Sequence, residues 1–155
     1  MASQDPHVGQ LIGAVVRAME SDLYRRLRNA GYADVRPAHA AVFRHIAPEG
    51  SRLTDLAERA QMTKQAAGEL VSDLEDRGYL ERLPDPGDGR VKVIRLTARG
   101  RGSRAAAFRA FREIEAAWAE RVGKRRVAEL RATLARIASL EPSGHPGSPR
   151  RPDDG

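Results

Sequence analysis

The side chains best placed to do chemistry in this sequence are hydrogen-bond donors and acceptors rather than nucleophiles. Thr63, Lys64 and Gln65 open a helical run that continues through Gly68 and Glu69. Lys64 can donate to guanine O6 or N7, and Gln65 can pair bidentately with adenine. Thr63 suits the N-cap of the run and can also meet a phosphate. Gly68 either lets the backbone approach a duplex or is a tolerated helix glycine. Glu69 can accept from cytosine N4, although a carboxylate beside phosphates is costly. The bland reading of all five is a solvated helix face. Farther along, Arg90 follows Pro84 to Gly89, a stretch rich in Pro, Gly and Asp. A basic side chain on a projecting hairpin suits a narrow minor groove, where the potential is most negative. Asp88 is expected to position Arg90 by a charge-assisted pair. Arg82 and Lys92 either meet phosphates or solvate the hairpin. The run Arg99, Arg101 and Arg104 reads as a solvated basic face.

Other chemistries find no residues to carry them. There is no cysteine, hence no disulfide and no thiol switch. The histidines are His7, His39, His45 and His145; His39 and His45 are six apart, which does not share one helix face for a metal. No nucleophile–base constellation and no phosphate-cradling glycine loop stands out, so neither an enzyme nor a cofactor is expected. The net charge of +6 favours a polyanionic partner. No stretch reaches the roughly 20 apolar residues of a membrane span. The N-terminus lacks a basic start followed by an apolar core, so no signal peptide is expected. A cytoplasmic protein is the simplest reading.

The elements around these residues follow from periodicity. Leu53, Leu56, Ala57 and Ala60 recur at helical spacing, with Thr54 the expected cap. Gln61 and Met62 separate that helix from the one opened by Thr63, whose buried stripe is Ala67, Leu70, Val71 and Leu74, and Gly78 stops it. Two helices joined by so short a turn form a helix-turn-helix, whose second helix reads bases with its N-terminal turns. Tyr79–Leu83 and Val91–Leu96 read as the strands of a hairpin. Ser51 to Leu53 can add a short extended piece beside them.

Long helices flank this centre. His7 to Ala30 carries Val8, Leu11, Ile12, Val15, Met19, Leu23 and Leu27 on one face, more apolar stripe than a small winged domain can cover. Arg36-Pro37 begins the next helix, with Ala38, Ala41, Val42 and Ile46 turned to the core. Thr97 caps a helix over Ala98 to Val122, with Ala107, Phe111, Ile114, Trp118 and Val122 in register. Gly100 and Gly102 are expected to weaken its start, by about 1 kcal/mol each relative to Ala. A last helix runs from Lys124 to Leu140. The fold class is therefore mainly α with a small β wing. One domain spans about residues 7–140, with the winged helix-turn-helix at about 37–97 and terminal helices at about 7–30 and 98–140. Residues 1–6 and 141–155 are expected to be disordered.

The central segment resembles the MarR family of bacterial transcription regulators. The resemblance rests on Leu56-Ala57-Glu58-Arg59, Met62-Thr63-Lys64-Gln65, Leu74 through Arg82, and Asp85-Pro86 with Asp88 and Arg90 followed by Leu96-Thr97. In this order and spacing it extends over about Asp5 to Leu140. Gly89 departs from it, standing where the family often has a second basic residue. The resemblance implies that the terminal helices are dimerisation helices that interlock two subunits. It implies a homodimer on double-stranded DNA with a pseudo-palindromic operator, most simply a repressor. It also implies a small aromatic or phenolic effector, with Arg17, Arg36 and His39 as pocket candidates; His39 reads equally as a packed helix residue. Two other functions suit the same residues: a nonspecific nucleoid-type DNA-binding protein, and a winged-helix scaffold for protein contacts.

Overall fold

The computed structural model describes residues 5–140, and the disorder expected of the 141–155 tail lies outside them. Contacts divide the described residues into two compact units, one ending at Ile114 and the other beginning at Glu115.

Helix α1 spans Val8–Asn29, started by the His7 side chain, which accepts from the Gln10 N–H at 3.3 Å. Of its apolar stripe only Leu23 and Leu27 are buried; Val8, Leu11, Ile12 and Val15 are exposed. Pro37–His39 then forms a single 3₁₀ turn before α2, Ala40–His45. This divides the helix expected from Arg36-Pro37, and the core side is Val42 and Ile46 with His39, whereas Ala38 is exposed.

Helix α3 is Leu53–Arg59, and its N-cap is Arg52 rather than Thr54. The reason lies one residue earlier. Ser51 exchanges backbone hydrogen bonds with Ile94 at 2.9 and 2.8 Å, which holds the chain extended up to Arg52. Helix geometry therefore begins at Leu53, and Thr54 falls inside the first turn. The third extended piece of the wing is this single bridge. At the other end of α3 the Met62 N–H returns to the Ala57 carbonyl at 2.9 Å, with Gln61 at φ +52°. With the Gln61 N–H on the Glu58 carbonyl at 3.0 Å, that is a helix-ending Schellman motif built without glycine.

Helix α4, Lys64–Asp76, begins at Thr63 and buries Ala67, Val71 and Leu74. Gly78, at φ +76°, lets the Tyr79 N–H return to the Leu74 carbonyl at 2.8 Å and turns the chain into the wing. Strands β1 (Leu80–Pro84) and β2 (Lys92–Leu96) pair antiparallel, with Leu80 opposite Leu96 and Pro84 opposite Lys92. Their inner faces join Val42, Leu56, Val71 and Leu74 in the core of the first unit.

Helix α5 runs unbroken over Ala98–Val122. Thr97 caps it, accepting from the Gly100 N–H at 3.1 Å. The glycines expected to weaken its start do different work. A Cβ on Gly100 would lie 2.1 Å from the Tyr79 carbonyl oxygen, and one on Gly102 would lie 2.5 Å from the Tyr32 hydroxyl. Their absence of side chain allows close approach. The buried face consequently passes through Gly100, Ser103, Ala106, Ala110 and Ile114, and Ala107 and Phe111 stand at its half-buried edge. In the second unit Gly123, at φ +98°, separates α5 from α6, Lys124–Ala138. Leu130, Leu134, Ile137 and Leu140 are all exposed. Among the described residues no helix is long and apolar enough to cross a membrane.

Candidate nucleic-acid interface

The start of α4 is built by its cap. Thr63 accepts from the Ala66 N–H at 3.1 Å, which places Lys64 and Gln65 in the first turn with exposed side chains. The remaining first-turn N–H groups sit at the positive end of the helix, a setting that suits phosphate. Gln65 Nε2 donates to Glu69 Oε1 at 3.3 Å, one turn along the same exposed face. Gly68 lies between them. A Cβ there would meet only the Leu53 side chain, at an ordinary 3.7 Å, so nothing inside the protein demands glycine.

The wing tip is shaped by two carboxylates. Asp85 accepts from the Gly87 N–H at 2.8 Å and from the Arg52 guanidinium at 2.9 Å. The Gly87 N–H first, and Arg52 second, hold the Asp85 carboxyl below its usual range. Asp88 accepts from the backbone N–H of Arg90 at 3.0 Å. The expected pairing of Asp88 with the Arg90 side chain is thus replaced by a backbone bond, because an aspartate in a turn reaches the N–H two residues on. The Arg90 guanidinium is exposed, with no hydrogen bond or ion pair among the described residues. Lys92 is exposed on β2. Arg82 turns back onto α4, 3.1 Å from Glu75 and 3.4 Å from Ser72, so its first partners are internal.

Behind these exposed groups stands a polar frame. Asp73 of α4 takes Arg36 and His39 on one carboxylate oxygen and Arg77, at 2.9 Å, on the other. Burial opposes its charge, but the three donors outweigh burial and hold its pKa at about 2. A second cluster joins the Tyr79 hydroxyl to Asp34, with Arg99 donating to both and lying 4.6 Å over the Tyr79 ring. Burial first, then Asp34, push the Tyr79 hydroxyl up to about 12. The basic run therefore works inside the fold. Besides Arg99, Arg101 donates to the Leu96 carbonyl at 2.7 Å and Arg104 to that of Ile46 at 3.5 Å. Carbonyls left open at element ends attract the nearest guanidinium, which a count of exposed charges along the sequence does not reveal. The roles of Arg52 and Asp73 are not visible in local sequence, because Asp85 lies 33 residues from Arg52, and Arg36 and His39 lie 37 and 34 residues from Asp73.

An apolar cavity of about 190 Å³ lies in the first unit, lined by Leu23, Tyr24, Phe43 and Phe111 with Arg44 and Arg104. Arg17, Arg36 and His39 do not line it. Arg36 and His39 are committed to Asp73, and Arg17 is exposed on α1.

Residues 33–91, the span from the Asp34 loop to the wing tip, match the profile of the MarR family. No curated protein sequence matches the chain. Among solved structures, CouR from Rhodococcus jostii RHA1 bound to p-coumaroyl-CoA is 25% identical, covering 92% of this chain and all of its own (100%), with a TM-score of 0.65. A MarR-family transcriptional regulator from Rhodococcus sp. RHA1 is also 25% identical, covering 85% of this chain and 92% of its own, with a TM-score of 0.63. A mutant of S. aureus MepR bound to an oligodeoxyribonucleotide shares the fold at 20% identity, covering 87% and 98%, with a TM-score of 0.62. The family match thus falls on the helix-turn-helix and the first strand of the wing, and over that span the chain is similar to the MarR family of transcriptional regulators, whose winged-helix fold it shares.

Proposed function

We propose that the protein works as a homodimer that represses transcription by reading a pseudo-palindromic duplex, and that a small aromatic ligand releases it. The observation that carries the reading is the pairing of an exposed Lys64 and Gln65 on a capped helix end with an unpartnered Arg90 guanidinium on the wing. One such helix reads only a few base pairs, and a two-fold pair reads two half-sites about one helical turn apart. Thr63, Gly68, Glu69 and Lys92 complete the contact surface in this proposal. Arg82 and Asp88 support it from within, one on α4 and one in the wing turn. The dimer reading draws on the exposed apolar faces of α1 and of α6. Such faces are costly to leave in water at roughly 25 cal/mol per Å².

For the effector, the apolar cavity with Arg44 and Arg104 suits an aromatic body carrying an acidic group better than Arg17, Arg36 and His39 do. That MepR has been solved with DNA and CouR with an acyl-CoA supports both halves of the reading. To release DNA, the ligand must favour a conformation that does not fit the duplex, because equal affinity for both shifts nothing. The protein acts by binding, without a chemical step, and in the cytoplasm.

Selection of binding sites from random duplex tests the reading, followed by comparison of selected and scrambled duplex at physiological salt. A dimer with a ratio of at least about 10³ is the expected result. A ratio near one favours the nonspecific nucleoid-type protein, and no DNA affinity at all favours a protein-interaction scaffold.

A further inference from the structure

His39 is fully buried, and its two ring nitrogens have different partners. Nδ1 accepts from the Arg36 backbone N–H at 3.1 Å, so the proton sits on Nε2, which donates to Asp73 Oδ2 at 2.6 Å. The Arg36 guanidinium joins the same oxygen, and Arg77 holds the other. Asp73 therefore ties the flank of α4 to the 3₁₀ turn that begins the preceding helical pair. The apolar stripe of α4 is held by a non-directional force and tolerates small rotations about the helix axis. Hydrogen bonds are directional, and a carboxylate gripped from several sides is not free to turn.

We propose that His39 and Arg36, acting through Asp73, are positioning residues that set the rotation of α4 and so bring Lys64 and Gln65 into register with base edges. The inference rests on the DNA-reading function proposed above. It also carries a pH signature. The charged groups facing the imidazole are Arg36, Asp73 and Arg77. Burial lowers the His39 pKa, Asp73 raises it, and the two arginines lower it, with a net shift below the ordinary 6.5. A proton added at Nδ1 would face the Arg36 N–H head-on, and the clamp would open.

The test uses the full chain and a duplex selected by the wild-type protein, each measurement made well below the unfolding midpoint. His39→Gln and Asp73→Asn should keep their affinity for scrambled duplex while the ratio of selected to scrambled affinity falls on the order of tenfold, the size of one lost base contact. Asp73→Asn is isosteric and serves if His39→Gln fails to fold. The wild-type ratio should also decline as pH drops below 6.5, while that of His39→Gln stays flat. Variants that lose only thermal stability and keep the wild-type ratio, or a pH profile shared by wild type and His39→Gln, would overturn the proposal. A wild-type ratio near one would overturn the DNA-reading function and this inference together.

Discussion

The Arg52 guanidinium lies 2.9 Å from the Asp85 carboxylate, joining the start of α3 to the tip of the wing. Asp85 also takes the Gly87 N–H, so one side chain both shapes the turn and anchors it. The position of Arg90 relative to α4 thus depends on a pair outside both. Replacing Arg52 by Ala should leave the thermal midpoint nearly unchanged, since the Arg52 side chain is half exposed and exposed pairs stabilise little. Duplex affinity should nevertheless fall, because the wing is less well held. Equal affinity of wild type and Arg52→Ala in a titration by fluorescence anisotropy would show that the pair does not position the wing.

Gly100 should tolerate no side chain. An added Cβ would lie 2.1 Å from the Tyr79 carbonyl oxygen, a backbone atom that cannot swing away. Gly100→Ala is expected to destabilise by about 1–3 kcal/mol or more, the usual cost of overpacking. Gly102→Ala should cost less, because its neighbour is the hydroxyl end of a tyrosine side chain. Urea unfolding of the two variants ranks them. Equal losses would contradict the distinction.

Gly68 gives the opposite expectation for stability. Its site has room for a methyl group, so Gly68→Ala should stabilise α4 by about 0.8–1 kcal/mol through helix propensity. If the backbone approaches DNA there, the same variant should bind duplex more weakly. A more stable variant with undiminished binding would mark Gly68 as a merely tolerated helix glycine.

Acid should undo the Asp73 clamp in a defined window. The carboxyl is held at about 2, against an ordinary value of 3.8. A depressed folded-state pKa contributes stability that is fully present above the unfolded value and is lost as pH falls through the folded one. The difference in midpoint between wild type and Asp73→Asn should therefore shrink as pH falls from 3.8 towards 2. A difference independent of pH across that range would mean that the carboxylate charge does not matter to the fold.

What could be read from the sequence was local. Thr63 as cap, Gly78 as stop, the stripe of Ala67, Val71 and Leu74, and the strands on either side of the wing depend on neighbours within a few positions. The misplacements came from longer range. Thr54 looked like a cap until the Ser51–Ile94 bridge set where the chain turns helical. The glycines of α5 looked like weak points until Tyr79 and Tyr32 were found packed against them. The buried face of α5 shifted for the same reason. Arg99 looked solvated because Asp34 and Tyr79, which hold it, are far away in sequence. The apolar stripe of α1 was legible in the sequence, and its first turns are exposed in the fold.

The most direct measurement is the salt dependence of duplex binding by wild type and Arg90→Ala, each with a far-ultraviolet dichroism control for folding. Arg90 is an exposed wing cation without an internal partner among the described residues. Its removal should weaken binding and reduce the slope of log affinity against log salt by about one, at unchanged helicity. An identical slope and affinity in the two proteins would contradict the assignment of this hairpin to the groove of DNA.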